Sequence, residues 1–320
     1  MASEDHSRYH WVMLPRRILL LFVDGVGLGD RDPATNPFAR AATPTLRRLL
    51  GGPLAGREAV RTDLATLVPL DARLGVPGLP QSATGQTALL SGENAAALLG
   101  RHLTAYPTPS LRHLLAARGL FVRLHGAGVQ AALANAYTDG YFAAVAQRRL
   151  RHASITLNAI QAGVRLRDLA DLRAGRAVYH DLTNAGLRRQ GLEIPLVTPE
   201  DAGHRLAAIV RAEAFTVFEF FQTDLAAHGR AGEPIEVIER YDRMLGAALD
   251  ALDLGETLVL MTSDHGNLED GRTTAHTLNP VPALLVGAGR DALASRLGAI
   301  TDVVPTCLDL WSAPAPVPLA

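Results

Sequence analysis

The 320-residue chain predicts an α/β fold: a mainly parallel sheet with helices on both faces, plus an inserted α+β segment. Three observations lead there. Short apolar or β-branched runs recur between helix-like stretches. The runs are continuous, as in strands covered on both faces, and do not alternate as a half-exposed sheet does. The middle third of the chain differs in character from its flanks.

The first run, 17–23 (RILLLFV), reads as a buried strand. Residues 43–50 open with Thr-Pro-Thr, a cap followed by an early proline, and read as a helix. A second helix is expected over 85–97, after PQSAT. Residues 99–197 mix arginines, small loops and strand-like pieces, among them LFVRLHGAG (120–128) and RAVYHDL (176–182). They read as an inserted cap domain, leaving 1–98 and 198–320 as the core. Amphipathic helices follow at 199–212 and 235–252, and strands at 216–222 (TVFEFFQ), 257–262 (TLVLMT) and 282–286 (PALLV). The tail WSAPAPVPLA is proline-rich and reads as an extended end.

Composition narrows the function. The net charge of −1 argues against a nucleic-acid-coating protein. A single cysteine, Cys307, excludes a disulfide framework and a thiolate-rich zinc site within one chain. A reducing, cytoplasmic compartment is expected. The start lacks the apolar core of a secretion signal, and no run reaches the ~20 apolar residues of a membrane span. There is no lysine, so neither a P-loop lysine nor a Schiff-base lysine is available. The composition leaves the oligomeric state open.

Three strand ends carry acid or acid plus histidine. Asp24 follows the first strand. In FFQTDLAAHGR, Asp224 and His228 stand at i and i+4, on one face if a helical turn begins there. In LVLMTSDHGN, Asp264 and His265 are adjacent, and His276 precedes the next strand. Strand ends in open α/β sheets face the crevice where ligands bind. Oxygen and nitrogen donors of this kind suit zinc or manganese. Six such ligands are about right for two divalent ions, the usual device for phosphoryl or sulfuryl displacement. The nucleophile is expected in PQSATGQTALLS: Thr87, placed at the start of a helix where the dipole favours anionic charge, with Ser82 and Thr84 as alternatives. Asn36 and Asn267 are candidates to orient ligands or the phosphate. Arg101, His102, Arg151 and Arg176 are candidates to clamp it. Gly25, Gly27 and Gly29 do not have the G-x-G-x-x-G spacing, and read as letting the backbone pass close to a metal.

The set FVDGVG, SATGQT, TDLAAHG, SDHGN and AHTLNPVP resembles the alkaline phosphatase superfamily of metalloenzymes. The nearest branch holds cofactor-independent phosphoglycerate mutase and phosphopentomutase. The resemblance covers Asp24 to His276 in the family's order, but not the segment 99–197. It implies one ion on Asp24, Thr87, Asp264 and His265, a second on Asp224, His228 and His276, and a phospho-threonine intermediate on Thr87. It also implies manganese or zinc, and a cap inserted after the nucleophile's helix. The large phosphoglycerate-binding insert of the long mutases is not recognisable, and a sulfatase C/S-x-P-x-R motif is absent. The expected activity is phosphoryl transfer on a small phosphate ester, with hydrolysis preferred. The alternatives are an intramolecular phosphomutase and a non-catalytic metal-binding homologue.

Overall fold

The computed structural model describes residues 14–312. The proline-rich tail and the chain start fall almost wholly outside the described residues. Seven strands form one sheet: β1 (Arg17–Val23), β2 (Val60–Arg61), β3 (Ala65–Leu70), β4 (Ala131–Leu133), β5 (Phe215–Phe220), β6 (Thr257–Thr262) and β7 (Val281–Gly287). Their order is β2-β3-β7-β6-β1-β5-β4. β1 pairs in parallel with β5 and β6, and β4 in parallel with β5. The other three pairings, β6 with β7, β7 with β3 and β3 with β2, are antiparallel. The parallel part is the half that carries the site.

Central position explains the composition of β1. Leu19, Leu21 and Val23 face one side, in a core shared with helices Pro44–Leu50, Pro199–Ala212 and Pro234–Ala251. Ile18, Leu20 and Phe22 face the other, against helices Ser82–Ser91, Pro109–Arg118, Leu120–Gly126 and Ile300–Ser312. Both faces of β1 pack against apolar helix surfaces, hence the unbroken run.

Several expected elements are corrected. The helix expected over 85–97 is two helices, Ser82–Ser91 and Ala95–Leu99. Gly92 ends the first in a left-handed conformation (φ 76°), and Asn94 caps the second through Ala97 N. Residues 120–126, expected as strand, are helical, because their apolar residues meet the core at helical spacing: Leu120, Phe121 and Leu124 are buried. The stretch 176–182 contributes only an isolated bridge, Asn135 to Val178. The expected boundary at residue 99 is not a break in the core. β4 extends the main sheet, and the helices at 109–126 and 154–161 share the core of its second face. A separate small cluster exists only further on, around Leu169, Leu172, Leu187 and Ile194. Among the described residues no helix is long and apolar enough to cross a membrane.

Candidate metal centre

Strand direction assembles the site. β1, β5 and β6 run the same way, so the residues after them emerge at one edge. β7 runs oppositely, so the residues before it arrive at that same edge. Asp24, Asp224, the Asp264-His265 pair and His276 therefore converge, though distant in sequence. Close approach needs a glycine at 25: it has φ +69°, and a Cβ there would lie 2.8 Å from Asp224 Oδ1. On the far side, a Cβ at Gly85 would lie 2.7 Å from Asp264 O, so the Ser82–Ser91 helix presses directly on the loop after β6.

Two overlapping donor groups result. Asp224, His228 and His276 offer ligand atoms within 4.8 Å of one another, and so do Asp24, Asp224 and His265. Asp264 Oδ2 lies 3.6 Å from His265 Nε2, which places it at the second group. Asp224 is common to both, whereas the resemblance implied it for one alone. Asn267 Nδ2 donates to Asp224 Oδ1 at 3.1 Å and lies 3.1 Å from His228 Nε2. His276 Nδ1 is 2.8 Å from Pro80 O, and it can pair there only as an N–H donor. That leaves His276 Nε2 as the unprotonated nitrogen, 3.8 Å from Asp224 Oδ1.

The electrostatics fit divalent cations. Asp264 and His265 are fully buried and Asp24 nearly so. Asp24 Oδ1 and both oxygens of Asp264 have no hydrogen-bond partner among the described residues. Burial, then the charges of Asp264, Asp224 and Glu219, raise the Asp24 carboxyl well above its ordinary range. Burial and then Asp224 push Asp264 up to about 8. Burial, with His276 and His228 beside it, holds His265 well below the usual imidazole value. Buried carboxylates without donors are costly by themselves and become favourable around a cation.

The expected placement of Thr87 at a helix start is corrected. Thr87 is the sixth residue of the Ser82–Ser91 helix, not its start. It is fully buried, and its hydroxyl donates to Ala83 O one turn back, at 2.6 Å. Thr84 is likewise closed on its own helix end, donating to Gln81 O and accepting from Leu103 N. Ser82 is the first helical residue, and its Oγ lies 3.1 Å from His265 Nε2.

Most expected clamps lie elsewhere. Asn36 is a helix cap: it accepts from Phe38 N and donates to Asp30 O. His102 pairs with Val76 O, and Arg176 pairs with Asp171. Arg101 is exposed on the turn after the Ala95–Leu99 helix. Arg151 alone of the four lines the cleft in front of the donor groups, a space of about 470 Å³ that also borders Asp24, Ser82 and Asp224. Three residues were not singled out from the sequence. Gln86 Nε2 donates to Asp24 Oδ2 at 3.4 Å. Glu269 accepts from Gly27 N, Asn267 N, Asn279 Nδ2 and the Thr277 hydroxyl, tying the loop after β1 to the long β6–β7 connection behind the site. Glu219, buried in β5, was visible as the one charge in an otherwise apolar strand.

Known structures share this fold. The PH0037 protein from Pyrococcus horikoshii superposes with a TM-score of 0.55 at 18% identity, over 93% of this chain and 97% of that one. The alkaline phosphatase from the Antarctic bacterium TAB5 superposes with a TM-score of 0.51 at 14% identity, over 93% of this chain and 98% of that one. By sequence, a 2,3-bisphosphoglycerate-independent phosphoglycerate mutase of Cereibacter sphaeroides is 33% identical over 133 residues, which is 39% of this chain and 26% of that enzyme. Its counterpart in Thermosynechococcus vestitus is 31% identical over 149 residues, 38% of this chain and 28% of that enzyme. The family described as "Metalloenzyme superfamily" matches residues 201–315. Over its C-terminal third the chain is similar to the metalloenzyme superfamily, and its fold is that of alkaline phosphatase-like structures. The matched range contains Asp224, His228, Asp264, His265 and His276, while Asp24 and Ser82 lie outside it and meet these residues through the fold. The matched stretch spans about a quarter of the length of these curated mutases.

Proposed function

We propose that this chain is a phosphoryl-transfer enzyme that uses two divalent cations, manganese or zinc, on a small phosphate ester. Ser82 is the nucleophile and hydrolysis the outcome. The observation that carries this reading is the position of Ser82 Oγ, 3.1 Å from His265 Nε2, on the rim shared by the cleft and the donor groups. Asp224, His228 and His276 would hold one cation, and Asp24, Asp264 and His265 the other, with Asp224 near both. Bound there, divalent cations favour the ionised serine hydroxyl and offset the charge of the phosphate.

The chain's own residues do the rest. Ser82 opens a ten-residue helix, whose N-terminus favours the negative charge gathering on the phosphoryl oxygens. Its Oγ forms a bond to phosphorus as the ester P–O bond breaks. The alcohol leaves with the proton that the serine gives up. Water then cleaves the phosphoserine, restoring the hydroxyl and releasing inorganic phosphate. Asn267 and the Pro80 carbonyl hold Asp224, His228 and His276 in orientation throughout. Hydrolysis is favoured over transfer within one sugar because only one arginine lines the cleft to retain an anionic product for reattack. A mutase outcome draws its support from the phosphoglycerate mutases that the chain resembles over a quarter of their length.

The test is turnover of the manganese- or zinc-loaded protein on aryl, sugar and glycerate phosphates, followed by phosphorus NMR. Free phosphate is expected. Phosphate moved within a substrate, with none released, replaces the hydrolase by a mutase. No turnover of any ester with either metal rejects the enzyme.

A further inference from the structure

The cleft in front of the donor groups has a composition unlike that of an anion site. Its wall is aromatic, with Tyr106, Tyr137, Tyr141, Tyr179, His180 and Phe221. Tyr179, His180 and Phe221 lie ring against ring, tilted by 43° and 34°, with centroids 4.0 and 4.5 Å apart. Several of the polar ends of this wall are already engaged. Tyr137 Oη pairs with Thr156 Oγ1 and Tyr141 Oη with His152 Nδ1, both at 2.7 Å. His180 Nδ1 pairs with Gln222 Nε2 at 2.8 Å. Burial drives His180 down to about 4, so its ring is neutral.

Glu219 is the exception. Its residue is only 6% exposed, it lines this cleft, and its carboxylate accepts no hydrogen bond from any described residue. Its backbone, by contrast, is pinned. Asn135 Nδ2 donates to Glu219 O at 2.7 Å, and Glu219 N donates to Asn135 Oδ1 at 2.9 Å. β5 pairing with β1 fixes the register on the other side, Phe22 opposite Glu219. A carboxylate held rigidly, buried, unpartnered and turned to a cavity awaits a donor that the protein does not supply.

We propose that Glu219 determines specificity. It accepts a hydrogen bond from a hydroxyl or amine on the alcohol part of the substrate, and it disfavours alcohol parts that carry a second anion. This deepens the proposed function and rests on it. The preferred substrates are then phosphate esters of compact alcohols, uncharged or cationic, that lie against aromatic rings. Burial pushes Glu219 up to about 7, so an incoming donor also favours its ionised form. An ammonium gains further from the surrounding ring faces. A carboxylate placed there, as in a phosphoglycerate, meets like charge in a dry site and has Arg151 alone to offset it.

The experiment measures kcat/KM of the metal-loaded full chain on O-phosphoethanolamine, ribose 5-phosphate, 3-phosphoglycerate and 4-nitrophenyl phosphate, for wild type and Glu219→Gln. Wild type should prefer at least one of the first two over 3-phosphoglycerate by about tenfold or more. Glu219→Gln should lower that preferred ester about tenfold more than it lowers the nitrophenyl ester, which has no donor to offer. Amine and sugar arms identify which donor is used. An equal fall on every ester, or none, overturns the proposal. If no ester turns over, the proposed function fails by itself. Calorimetry of phosphoethanolamine and 3-phosphoglycerate with metal-loaded Ser82→Ala protein then decides the specificity. Tighter binding of phosphoethanolamine that is lost on adding Glu219→Gln supports it, and equal binding overturns it.

Discussion

Two glutamates flank the donor groups, one behind them and one in front, and the protein treats them oppositely. Behind, Glu269 is 2% exposed and takes hydrogen bonds from four donors on two loops. In front, Glu219 is 6% exposed and takes none from its own side chain's surroundings. The same division holds for hydroxyls. Thr87, behind, closes on its own helix, while Ser82, in front, faces His265. Behind the site polar groups are spent on one another, and in front they are kept for something else. Burial therefore does not distinguish scaffold from working surface here, but hydrogen-bond accounting does.

The hydroxyl pair gives the largest expected effect. Ser82→Ala should cut phosphate release by on the order of 10³-fold or more, whereas Thr87→Val should keep it within about threefold. Turnover of the metal-loaded variants checks this, and the reverse pattern reinstates Thr87.

The two glutamates come next, read by urea unfolding. Glu269→Ala strands several buried donors and should cost at least about 3 kcal/mol. Glu219→Ala removes a buried, unpaired carboxylate and should change stability by no more than about 1 kcal/mol. Equal losses would erase the distinction between front and back.

Asparagines sharpen it further. Asn267→Ala should weaken metal binding by roughly 10–100-fold in a competition titration, through misplacement of Asp224 and His228. Asn36→Ala should leave metal affinity unchanged and cost about 1 kcal/mol as a lost helix cap.

The smallest effect is a slope with pH. In metal-free protein Asp264 keeps its proton up to about 8, while the unfolded chain loses it near the ordinary carboxyl value. The folded state then binds more protons, so stability falls as pH rises through that window. Below about 6.5 the depressed His265 opposes this, since the unfolded chain binds its proton first. Between pH 6.5 and 8 the raised carboxyls of Asp264, Asp24 and Glu219 act without that opposition. The melting temperature after chelation should therefore decline over that interval, and Asp264→Asn should lessen the decline.

What the sequence disclosed follows from the same division. β1 and β6 were bounded correctly because burial on both faces leaves an unbroken apolar signature. The acids and histidines were legible because a polar pair straight after such a run has no role in packing. β3 was missed, since Pro69 interrupts its pattern at a place where only the pairing with β7 shows it to be strand. β4 is three residues long and gains its identity from β5. Thr87 was preferred to Ser82 because the helix was expected to begin at 85. It begins at 82, and that shift of one turn decides which hydroxyl faces the site. The tyrosine wall had no signal, for Tyr106, the Tyr137–Tyr141 stretch and Tyr179 are far apart in sequence and meet only in the folded chain.

The reversed direction of β7 has a consequence for the history of each molecule. Neither donor group is complete within one stretch of chain: one takes His276 from before β7, and the other takes Asp24 from after β1. A nascent or unfolded polypeptide can offer an ion little more than an Asp-His pair. Only when the last strand has docked beside β6 do the full sets exist. On the proposed reading, metal acquisition would follow assembly of the sheet and not trigger it, the opposite of a zinc finger.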